Sequence, residues 1–329
     1  MPDGETGRFL KLAVPGARIV LTTHVHPDGD GVGSELGLAR FLRDRGALAR
    51  IVNCDPAPMS LGGLDADGLI EVYQPAVHDP VVGEAHAVVS IDNSDVARLG
   101  AMSAVVAAAP GIKACIDHHP DPDPLWGLRI VDPRASCTGV VVLGVLDAAG
   151  YEPPRDVAEA LYIALFSDTG RFRFGNTNAE GFRAAARLVE AGVSPAEVYA
   201  RLSERRSAGF LRLAGSILAG MEVRAQGRVV LLRVPQALLD RFGAAAEDLS
   251  DVINQALKLE SARGAALFRE IEPAKTKISL RSKGALDVNQ IARRHGGGGH
   301  RNASGVVLEM PMEDAIAEIA PALEDLVAE

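Results

Sequence analysis

Two short runs of this sequence crowd histidine side chains against aspartates. The first is His24-Val25-His26-Pro27-Asp28-Gly29-Asp30, and the second is Asp117-His118-His119. Carboxylates and imidazoles gathered this closely repel or desolvate one another, so a fold that collects them normally needs a divalent cation. Oxygen and imidazole ligands without thiolate favour manganese or a similar metal over a structural zinc site. The two runs therefore predict a metal centre.

Two more acids stand where such a centre could use them. Asp92 follows the apolar run Ala87–Ile91, and Asp168 follows a helical stretch at 157–166. An acid at the C-terminus of a helix opposes the helix dipole unless a positive charge compensates it. A metal ion would supply that charge, although an ordinary helix end followed by turn residues explains Asp168 equally well.

The elements that must position these residues alternate between strands and helices. Short apolar and β-branched runs predict strands at 18–23, 49–52, 87–91 and 112–116, and helical periodicity predicts a helix at 31–45. This alternation indicates a parallel sheet covered on both faces. His24, Asp92 and Asp117 each follow a predicted strand. Because open parallel sheets bind ligands at the carboxyl ends of their strands, we expect these residues to meet.

A second cluster combines glycines with basic residues near the C-terminus. Four consecutive glycines occupy 296–299, and a backbone without Cβ atoms lets a phosphate or sugar approach the amide groups closely. The segment 275–301 holds seven Lys and Arg against one acid, Asp287, in a chain of net charge -9. This imbalance predicts an anion-binding face. The alternative is an ordinary solvated basic surface.

Length and composition indicate an α/β protein of two domains. The chain has 329 residues, of which 47% are hydrophobic and 23% charged, enough for two cores. We expect a catalytic, metal-binding domain at 1–190, a linker at 191–214 and a smaller α/β substrate-binding domain at 215–329. Within 171–329 the pattern predicts strands at 171–175, 228–234, 265–271 and 277–282, helices at 180–191, 195–220 and 249–259, and a terminal helix from Met312.

Charge and cysteine usage exclude several classes of protein. The net charge of -9 argues against a surface that coats nucleic acid, because binding to phosphate backbones depends on Lys and Arg. Cys54, Cys115 and Cys137 show no C-x-x-C spacing, so we expect buried thiols in a reducing compartment. The acidic start and the lack of a long apolar run predict a cytoplasmic protein.

Four motifs of this sequence, in this order, resemble those of the DHH phosphoesterases. They are His24-x-x-x-Asp28-x-Asp30, Ser90-Ile91-Asp92-Asn93-Ser94, Asp117-His118-His119 and Ser167-Asp168-Thr169-Gly170. Any one tripeptide recurs by chance, whereas four ordered motifs at structurally sensible places are a specific signal.

The resemblance implies two divalent metal ions, commonly manganese, with magnesium or cobalt as alternatives. The implied ligands are His24, Asp28 and Asp92 for one ion, and Asp30, Asp92, His118 and Asp168 for the other. Asp92 would bridge the ions, His119 would face the substrate phosphate, and Asp117 would support the site, so these three form the expected catalytic group. We expect His26 to support the site as well. Two such ions suit hydrolysis of a phosphoester by an activated water.

The glycine cluster resembles the substrate-binding domain called DHHA1. The matching residues are Ser279-Leu280-Arg281-Ser282, the glycine run with His300, and Ala303-Ser304-Gly305. By this resemblance, the substrate would contact Arg281, Ser282, Gly297, Gly298, Gly299, His300 and Ser304, together with His119. The resemblance covers about 18–175 and 227–310, and it implies an active site in the cleft between the two domains.

Within this family, the compact two-domain form most resembles the bacterial bifunctional oligoribonucleases and pAp phosphatases of the NrnA type. This implies hydrolysis of short RNA (nanoRNA) or DNA oligonucleotides to mononucleotides, and of 3'-phosphoadenosine 5'-phosphate (pAp) to AMP. Three alternatives stay open: a RecJ-like single-strand exonuclease, a phosphodiesterase of linear or cyclic dinucleotides such as pApA, and a nucleotide-binding regulator without catalysis. A homodimer is the default oligomeric state.

Overall fold

The computed structural model describes residues 4–58, 61, 63–243 and 249–328. The chain divides into two compact units, Met1–Arg205 and Arg206–Glu329. This division falls inside the predicted linker, whose residues contribute to helices Pro195–Ser203 and Ala208–Ala219. The predicted α/β class, with a parallel N-terminal sheet and a second, smaller α/β part, is confirmed. The predicted domain bounds stay a prediction.

A six-stranded parallel sheet forms the centre of the first unit. Its strands are β1 (Arg18–Thr22), β2 (Leu48–Asn53), β3 (Ile70–Val72), β4 (Ala87–Ile91), β5 (Ile112–Asp117) and β6 (Leu128–Val131). Their spatial order is β3-β2-β1-β4-β5-β6, and every neighbouring pair is parallel. The strand order changes direction between β1 and β4. The carboxyl ends of these two strands therefore open a crevice, which is where open parallel sheets bind ligands.

Alternate residues of these strands enter two separate hydrophobic clusters, so the sheet is buried on both faces. Ile19 and Leu21 belong to one cluster, whereas Val20 and Val88 belong to the other, as the period of two in a strand requires. The helices of this unit are α1 (Gly4–Leu10), α2 (Gly29–Asp44), α3 (Pro75–Gly83), α4 (Ser103–Ala108), α5 (Thr138–Ala148), α6 (Arg155–Asp168), α7 (Ala179–Glu190) and α8 (Pro195–Ser203).

Helix α2 packs unusually closely on helix α6 along a glycine stripe formed by Gly29, Gly33 and Gly37. A Cβ atom on Gly33 would overlap the carbonyl oxygen of Ala160, and one on Gly37 would lie 2.8 Å from a methyl carbon of Leu161. Spacing by four residues places the three glycines on one face of α2. The stripe therefore holds the start of α2, with Asp28 and Asp30, beside the end of α6, where Asp168 lies.

Replacing Gly33 with Ala should destabilise the first unit. The new methyl group would meet a backbone oxygen of α6, which cannot rotate away. Overpacking of this kind costs about 1–3 kcal/mol, and we expect the upper part of that range, more than the gain in helix propensity of about 1 kcal/mol. Urea unfolding measures the effect.

Gly144→Ala is the matched control for this substitution. Gly144 is exposed on α5, with no heavy atom within 4 Å of its Cβ position. This change should stabilise the protein by about 0.5–1 kcal/mol, because Gly loses more backbone entropy than Ala. Equal unfolding midpoints for the two variants would contradict the close packing of α2 on α6.

The second unit also contains a six-stranded sheet, but of mixed direction. Its strands are β7 (Glu222–Arg224), β8 (Val229–Val234), β9 (Gly264–Glu272), β10 (Lys275–Ser282), β11 (Gly298–His300) and β12 (Ala303–Leu308), in the order β11-β12-β10-β9-β8-β7. Only the β8 and β9 pair is parallel among the described strands of this sheet. The helices are α9 (Ala208–Ala219), α10 (Gln236–Phe242), α11 (Ser250–Ala256), α12 (Asn289–Arg294) and α13 (Met312–Ala328). Over the described ranges, neither unit has a helix with the length and apolar character needed to cross a bilayer.

Two predicted elements differ from the structure. The strand predicted at 171–175 is wrong: Arg171 and Phe172 have φ angles of 64° and 61°, which are left-handed values outside the β region. The helix predicted at 195–220 is interrupted after Ser203. Ser207 then starts α9 as its N-cap, because its hydroxyl accepts a hydrogen bond from the Phe210 amide at 3.0 Å.

Candidate metal centre

Strands β1, β4 and β5 bring acids and imidazoles to one edge of the parallel sheet. Three groups of side chains there have potential ligand atoms within 4.8 Å of one another. They are His24, Asp28 and Asp92; Asp30, His118 and Asp168; and Asp92, Asp117, His118 and His119. The structure therefore brings together every residue that the sequence predicts as a metal ligand, and it adds Asp117 and His119 beside them.

The first group is organised around two buried side chains. His24 Nε2 lies 3.7 Å from Asp92 Oδ2. The other ring nitrogen, Nδ1, lies 2.8 Å from the Val25 carbonyl oxygen. An imidazole that donates through Nδ1 presents the lone pair of Nε2, which is the usual arrangement of a metal-binding histidine. Asp92 itself has a φ of 55°, a strained value for a residue other than glycine.

The second group surrounds the ring of His118. Its Nε2 lies 3.8 Å from Asp30 Oδ2 and 3.7 Å from Asp168 Oδ2. The same nitrogen lies 3.7 Å from Asp92 Oδ1. Asp92 therefore faces His118 with one carboxylate oxygen and His24 with the other. The two groups meet at this single carboxylate.

Helix ends fix the two acids of the first motif. Asp30 accepts hydrogen bonds from the amides of Thr138 at 2.7 Å and Gly139 at 3.0 Å, at the N-terminus of α5, and from the Ser34 hydroxyl at 3.1 Å. Helix N-termini favour negative charge, since their amides lack partners within the helix. Asp28 caps α2, because its Oδ1 accepts from two amides of the first turn at 2.9 and 3.2 Å.

Asp117 and His119 form a hydrogen-bonded pair beside Asp92. Asp117 Oδ1 accepts from His119 Nδ1 at 2.8 Å, and also from the backbone amides of His118 at 2.7 Å and His119 at 3.0 Å. Burial alone would raise the pKa of Asp117, but the hydrogen bond from His119 holds it below its usual range. Burial likewise opposes a charged His119, yet the Asp117 carboxylate raises its pKa. The pair therefore favours a carboxylate next to a charged imidazole.

The remaining buried acids disfavour their own charged forms. Burial, followed by the charge of Asp28, raises the pKa of Asp30 to about 7. Burial and the charges of Asp30 and Asp28 raise the pKa of Asp168 to about 8. Burial and the neighbouring acids raise the pKa of Asp92 well above its usual range. Crowded oxygen ligands with two imidazoles are the donor set that a divalent cation such as manganese prefers, so the residues fit the predicted metal ions.

Sequence reasoning missed two residues that hold these acids. The Thr138 hydroxyl donates to Asp92 Oδ1 at 2.8 Å, and Asn176 Nδ2 donates to Asp168 Oδ2 at 2.8 Å. Thr138 carried a readable signal, because it lies two residues before the apolar run that begins at Val140. Asn176 lies in a loop whose geometry depends on tertiary contacts, so its spacing alone could not identify it.

Sequence reasoning also missed Arg98, which lies in the 3-10 helix Val96–Met102 after β4. Its carbonyl oxygen accepts a hydrogen bond from the Val25 amide at 2.7 Å, so this short helix is joined to the loop that carries His24. Burial is the main reason for the lowered pKa of His24, and the positive charge of Arg98 contributes. The same charge opposes protonation of His119. A cation therefore lies near both imidazoles.

His26 does not join the acids of the site. Its side chain is 93% exposed, and its Nδ1 lies 3.4 Å from Asp55 Oδ2. The His26 amide also donates to that oxygen, at 2.7 Å. His26 thus contacts the surface loop after β2, and the supporting role expected for it is not seen.

The residues predicted to bind substrate in the second unit lie on adjacent strands. The strand register aligns His300 of β11 and Arg281 of β10 with Ala303 of the intervening β12. Arg281 is half-buried, and its Nη1 donates to the Leu280 carbonyl oxygen at 3.0 Å. The side chain of His300 lies outside the described structure.

The two predicted serines of this unit are buried. The Ser282 hydroxyl donates to the Leu286 carbonyl oxygen at 2.7 Å and accepts from Asn302 Nδ2 at 2.8 Å. These bonds tie the end of β10 to the loop that follows it. Ser304 is 4% exposed and pairs with Gly299 across the sheet. Ser282 therefore has a structural task that the sequence did not reveal.

Packing accounts for part of the glycine run. A Cβ atom on Gly297 would overlap the Gly305 carbonyl oxygen, and one on Gly299 would lie 2.8 Å from the Cα atom of Ser304. These two glycines let β11 and the residue before it approach β12. By contrast, Gly298 is exposed, and no heavy atom lies within 4 Å of its Cβ position. Of the three glycines predicted to contact substrate, Gly298 is the one where no neighbouring atom accounts for the lack of a side chain.

The chain is similar to known proteins along most of its length. It matches the DHH family, N-terminal domain, over residues 18–165 and the DHHA1 domain over residues 226–329. It is 32% identical to the bifunctional oligoribonuclease and PAP phosphatase NrnA of Thermus thermophilus, over 93% of this chain and 89% of that protein. It is 29% identical to the protein of the same name from Bacillus subtilis, over 87% of this chain and 88% of the relative.

A solved structure gives the same result for the fold. The exopolyphosphatase-related protein of Bacteroides fragilis matches with a TM-score of 0.94 and 29% identity. The match covers 99% of this chain and 98% of that one.

Proposed function

The chain belongs to the DHH family of phosphoesterases, and on that premise we propose that it hydrolyses short oligoribonucleotides to mononucleotides and pAp to AMP. Relatives that bear both activities in their names support this proposal, and the chain covers almost their whole length. DHH phosphoesterases depend on metal ions. The buried cluster of acids and imidazoles is the part of this chain that could bind them.

The orientation of the Asp92 carboxylate is the single observation that carries the two-metal proposal. Its Oδ2 faces His24 at 3.7 Å, and its Oδ1 faces His118 at 3.7 Å. Each imidazole has further acids beside it: Asp28 near His24, and Asp30 with Asp168 near His118. A carboxylate between two ligand sets is suited to bridge two cations.

We assign the ligands of the two ions accordingly. One set is His24, Asp28 and Asp92, and the other is Asp30, Asp92, His118 and Asp168. Manganese is the proposed metal, with magnesium or cobalt as alternatives for the same oxygen and nitrogen ligands. Two divalent ions held by these residues would lower the pKa of a bound water to give a nucleophile at neutral pH, and would stabilise the attacking and leaving oxygens of an in-line displacement.

His119 and Arg98 are the proposed phosphate-binding groups of the first unit. The hydrogen bond from His119 Nδ1 to Asp117 fixes the ring and favours its charged form. The Nε2 hydrogen of a charged imidazole can then bind a phosphate oxygen or protonate the leaving oxygen. Asp117 orients the ring, and Arg98 adds a second positive charge for the phosphate.

The second unit is the proposed nucleotide-binding part. Arg281, His300 and Ser304 would contact phosphate or base, and the exposed Gly298 would allow the backbone to approach the sugar. The excess of basic residues over 275–301 supports an anionic ligand here. Gly297, Gly299 and Ser282 would shape this surface through the packing and hydrogen bonds described above.

Manganese-dependent release of mononucleotides from strands of graded length tests the proposal. Using 5'-labelled RNA from dinucleotides to about 24 nucleotides, we expect kcat/KM to fall as length increases, since long single strands need extended stacking and charged surfaces. The same enzyme should convert pAp to AMP. The Asp92→Asn variant, purified in parallel, controls for contaminating nucleases.

Each alternative predicts a different result in the same assay. Preference for the longest strands would overturn the proposal in favour of a RecJ-like exonuclease. Activity confined to pApA or a cyclic dinucleotide would identify a dinucleotide phosphodiesterase. Tight binding of pAp without turnover in any metal would instead identify a nucleotide-binding regulator.

The cytoplasm is the compartment in which we propose that the protein works. Its three cysteines are free thiols, which suits a reducing environment. The predicted homodimer stays a prediction.

A further inference from the structure

The loop that follows Asp168 has an unusual backbone. Gly170, Arg171 and Phe172 have φ angles of 55°, 64° and 61°. Left-handed conformations cost roughly 1–2 kcal/mol for residues other than glycine. The loop then closes on itself, because the amides of Arg173 and Phe174 both donate to the Thr169 carbonyl oxygen at 2.9 Å. A strained backbone of this kind persists only where surrounding contacts hold it in place, and such segments often lie beside functional sites.

Two sets of contacts fix this loop, and one of them joins it to the candidate metal centre. Asn176 Nδ2 donates to Asp168 Oδ2 at 2.8 Å and to the Ser136 carbonyl oxygen at 2.9 Å. On the other side, Phe172 packs in an aromatic cluster with Phe166 at 6.1 Å and Phe182 at 5.4 Å between ring centroids. Phe172 thus anchors the loop. The position of the loop relative to Asp168 is set by the fold.

Phe174 projects from this loop with its ring half exposed. The residue is 50% exposed. One side of the ring packs on Gly170, where a Cβ atom would overlap three ring carbons. The Arg173 guanidinium lies 5.8 Å from the ring centroid, and Arg173 Nε donates to the Gly170 carbonyl oxygen at 2.9 Å. The ring is therefore supported by the loop while much of it meets solvent.

A single exposed phenylalanine is common and carries no meaning by itself. The distinguishing features are its support by a glycine that allows close approach, an arginine beside it, and a loop hydrogen-bonded to an acid of the metal centre. A flat aromatic face next to a cation is the combination with which proteins bind the bases and phosphates of single-stranded nucleic acids.

We propose that Phe174 is a stacking platform for one nucleobase of the oligonucleotide, and that Arg173 holds the ring and contributes positive charge beside the strand. This inference rests on the proposed function, because it names how the same site recognises its substrate. It assigns base binding to the first unit, in addition to the contacts proposed for the second.

Three dinucleotides separate stacking from other effects of this residue. They are pApA, the same molecule lacking the first base, and the same molecule lacking the second base. For Phe174→Ala, we expect kcat/KM on pApA to fall about 5- to 150-fold, the range caused by removing a ring under a base. For the abasic dinucleotide that keeps the stacked base, kcat/KM should fall as much as for pApA. The dinucleotide that lacks the stacked base should be cleaved equally by the variant and the unchanged protein.

Three further variants sharpen the test. Phe174→Trp should retain the preference for a base, whereas Phe174→Leu, which keeps apolar volume without an aromatic face, should lose it. Phe182→Ala is the matched control, since that ring is 55% exposed but stacks on Phe172. It should leave the ratio between pApA and both abasic dinucleotides unchanged.

An equal loss on all three dinucleotides for Phe174→Ala would overturn the inference, because displacement of Asp168 by a disturbed loop affects every substrate alike. An equal response to Phe182→Ala would overturn it too. If the unchanged protein cleaves none of them, the proposed function fails instead. Calorimetric binding of the same dinucleotides to Asp92→Asn, with and without Phe174→Ala, then decides the stacking role separately: base-dependent weakening supports it, and its absence refutes it.

Discussion

Asp92→Asn should lower manganese-dependent kcat on oligonucleotides by on the order of 10³-fold or more, because both cations are proposed to share this carboxylate. The amide keeps the size of the side chain and the oxygen that accepts from Thr138. It loses the negative charge that faces His24 and His118. Steady-state kinetics with metal titration measure the loss, and inductively coupled plasma mass spectrometry counts bound manganese.

The same variant should unfold at a higher temperature than the unchanged protein in the presence of a chelator. Asp92 is buried among other acids, which raise its pKa, so at neutral pH either its charge or its protonation costs folding free energy that a neutral amide avoids. In manganese the order should reverse, because binding of an ion to the folded state stabilises it by mass action. Asp132→Asn, a surface acid paired with Arg134, is the control and should change neither property. Full activity of Asp92→Asn would refute the two-metal mechanism.

His119→Gln should reduce kcat by about 10²- to 10⁴-fold, the usual contribution of a positioned acid or base. Gln cannot carry the positive charge that Asp117 favours on the imidazole. Because His119 is not assigned as a metal ligand, bound manganese should stay unchanged. That metal content separates this loss from the one expected for Asp92→Asn.

Asp117→Asn tests whether Asp117 acts through His119. Asn keeps Oδ1 as an acceptor for the two backbone amides and loses only the charge next to the ring. We expect a smaller loss than for His119→Gln, and a double variant no slower than His119→Gln alone, because residues that act as one unit are not additive. Multiplicative losses would show that the two residues act independently.

The placement of the site could be predicted because parallel strands end at one edge. His24 and Asp92 follow β1 and β4, and Asp117 is the last residue of β5, so their meeting depends only on the strand assignment. The sequence leaves an alternative for Asp168, since a helix end explains an acid there equally well. The tight packing of α2 on α6 supplies the physical reason that it reaches the other acids.

The parts that sequence could not supply depend on tertiary contacts. The alternating Arg171-Phe172-Arg173-Phe174 pattern has the period of a strand, yet the contacts of Phe172 and Asn176 impose a left-handed loop. Likewise, glycines 297 and 299 suggest ligand contact in the sequence, whereas the neighbouring strand β12 explains them. Composition cannot distinguish a glycine needed for a ligand from one needed for another strand.

The glycine content of α2 bears on when the site can form during folding. Four of its 16 residues are glycines, and each lowers helix propensity by about 1 kcal/mol relative to alanine. The isolated segment would therefore be mostly unfolded, and contact with α6 must compensate. Since α6 (Arg155–Asp168) comes more than a hundred residues later, a nascent chain cannot assemble these acids until α6 has left the ribosome. The candidate metal centre is thus a product of the completed first unit and not of its N-terminal segment.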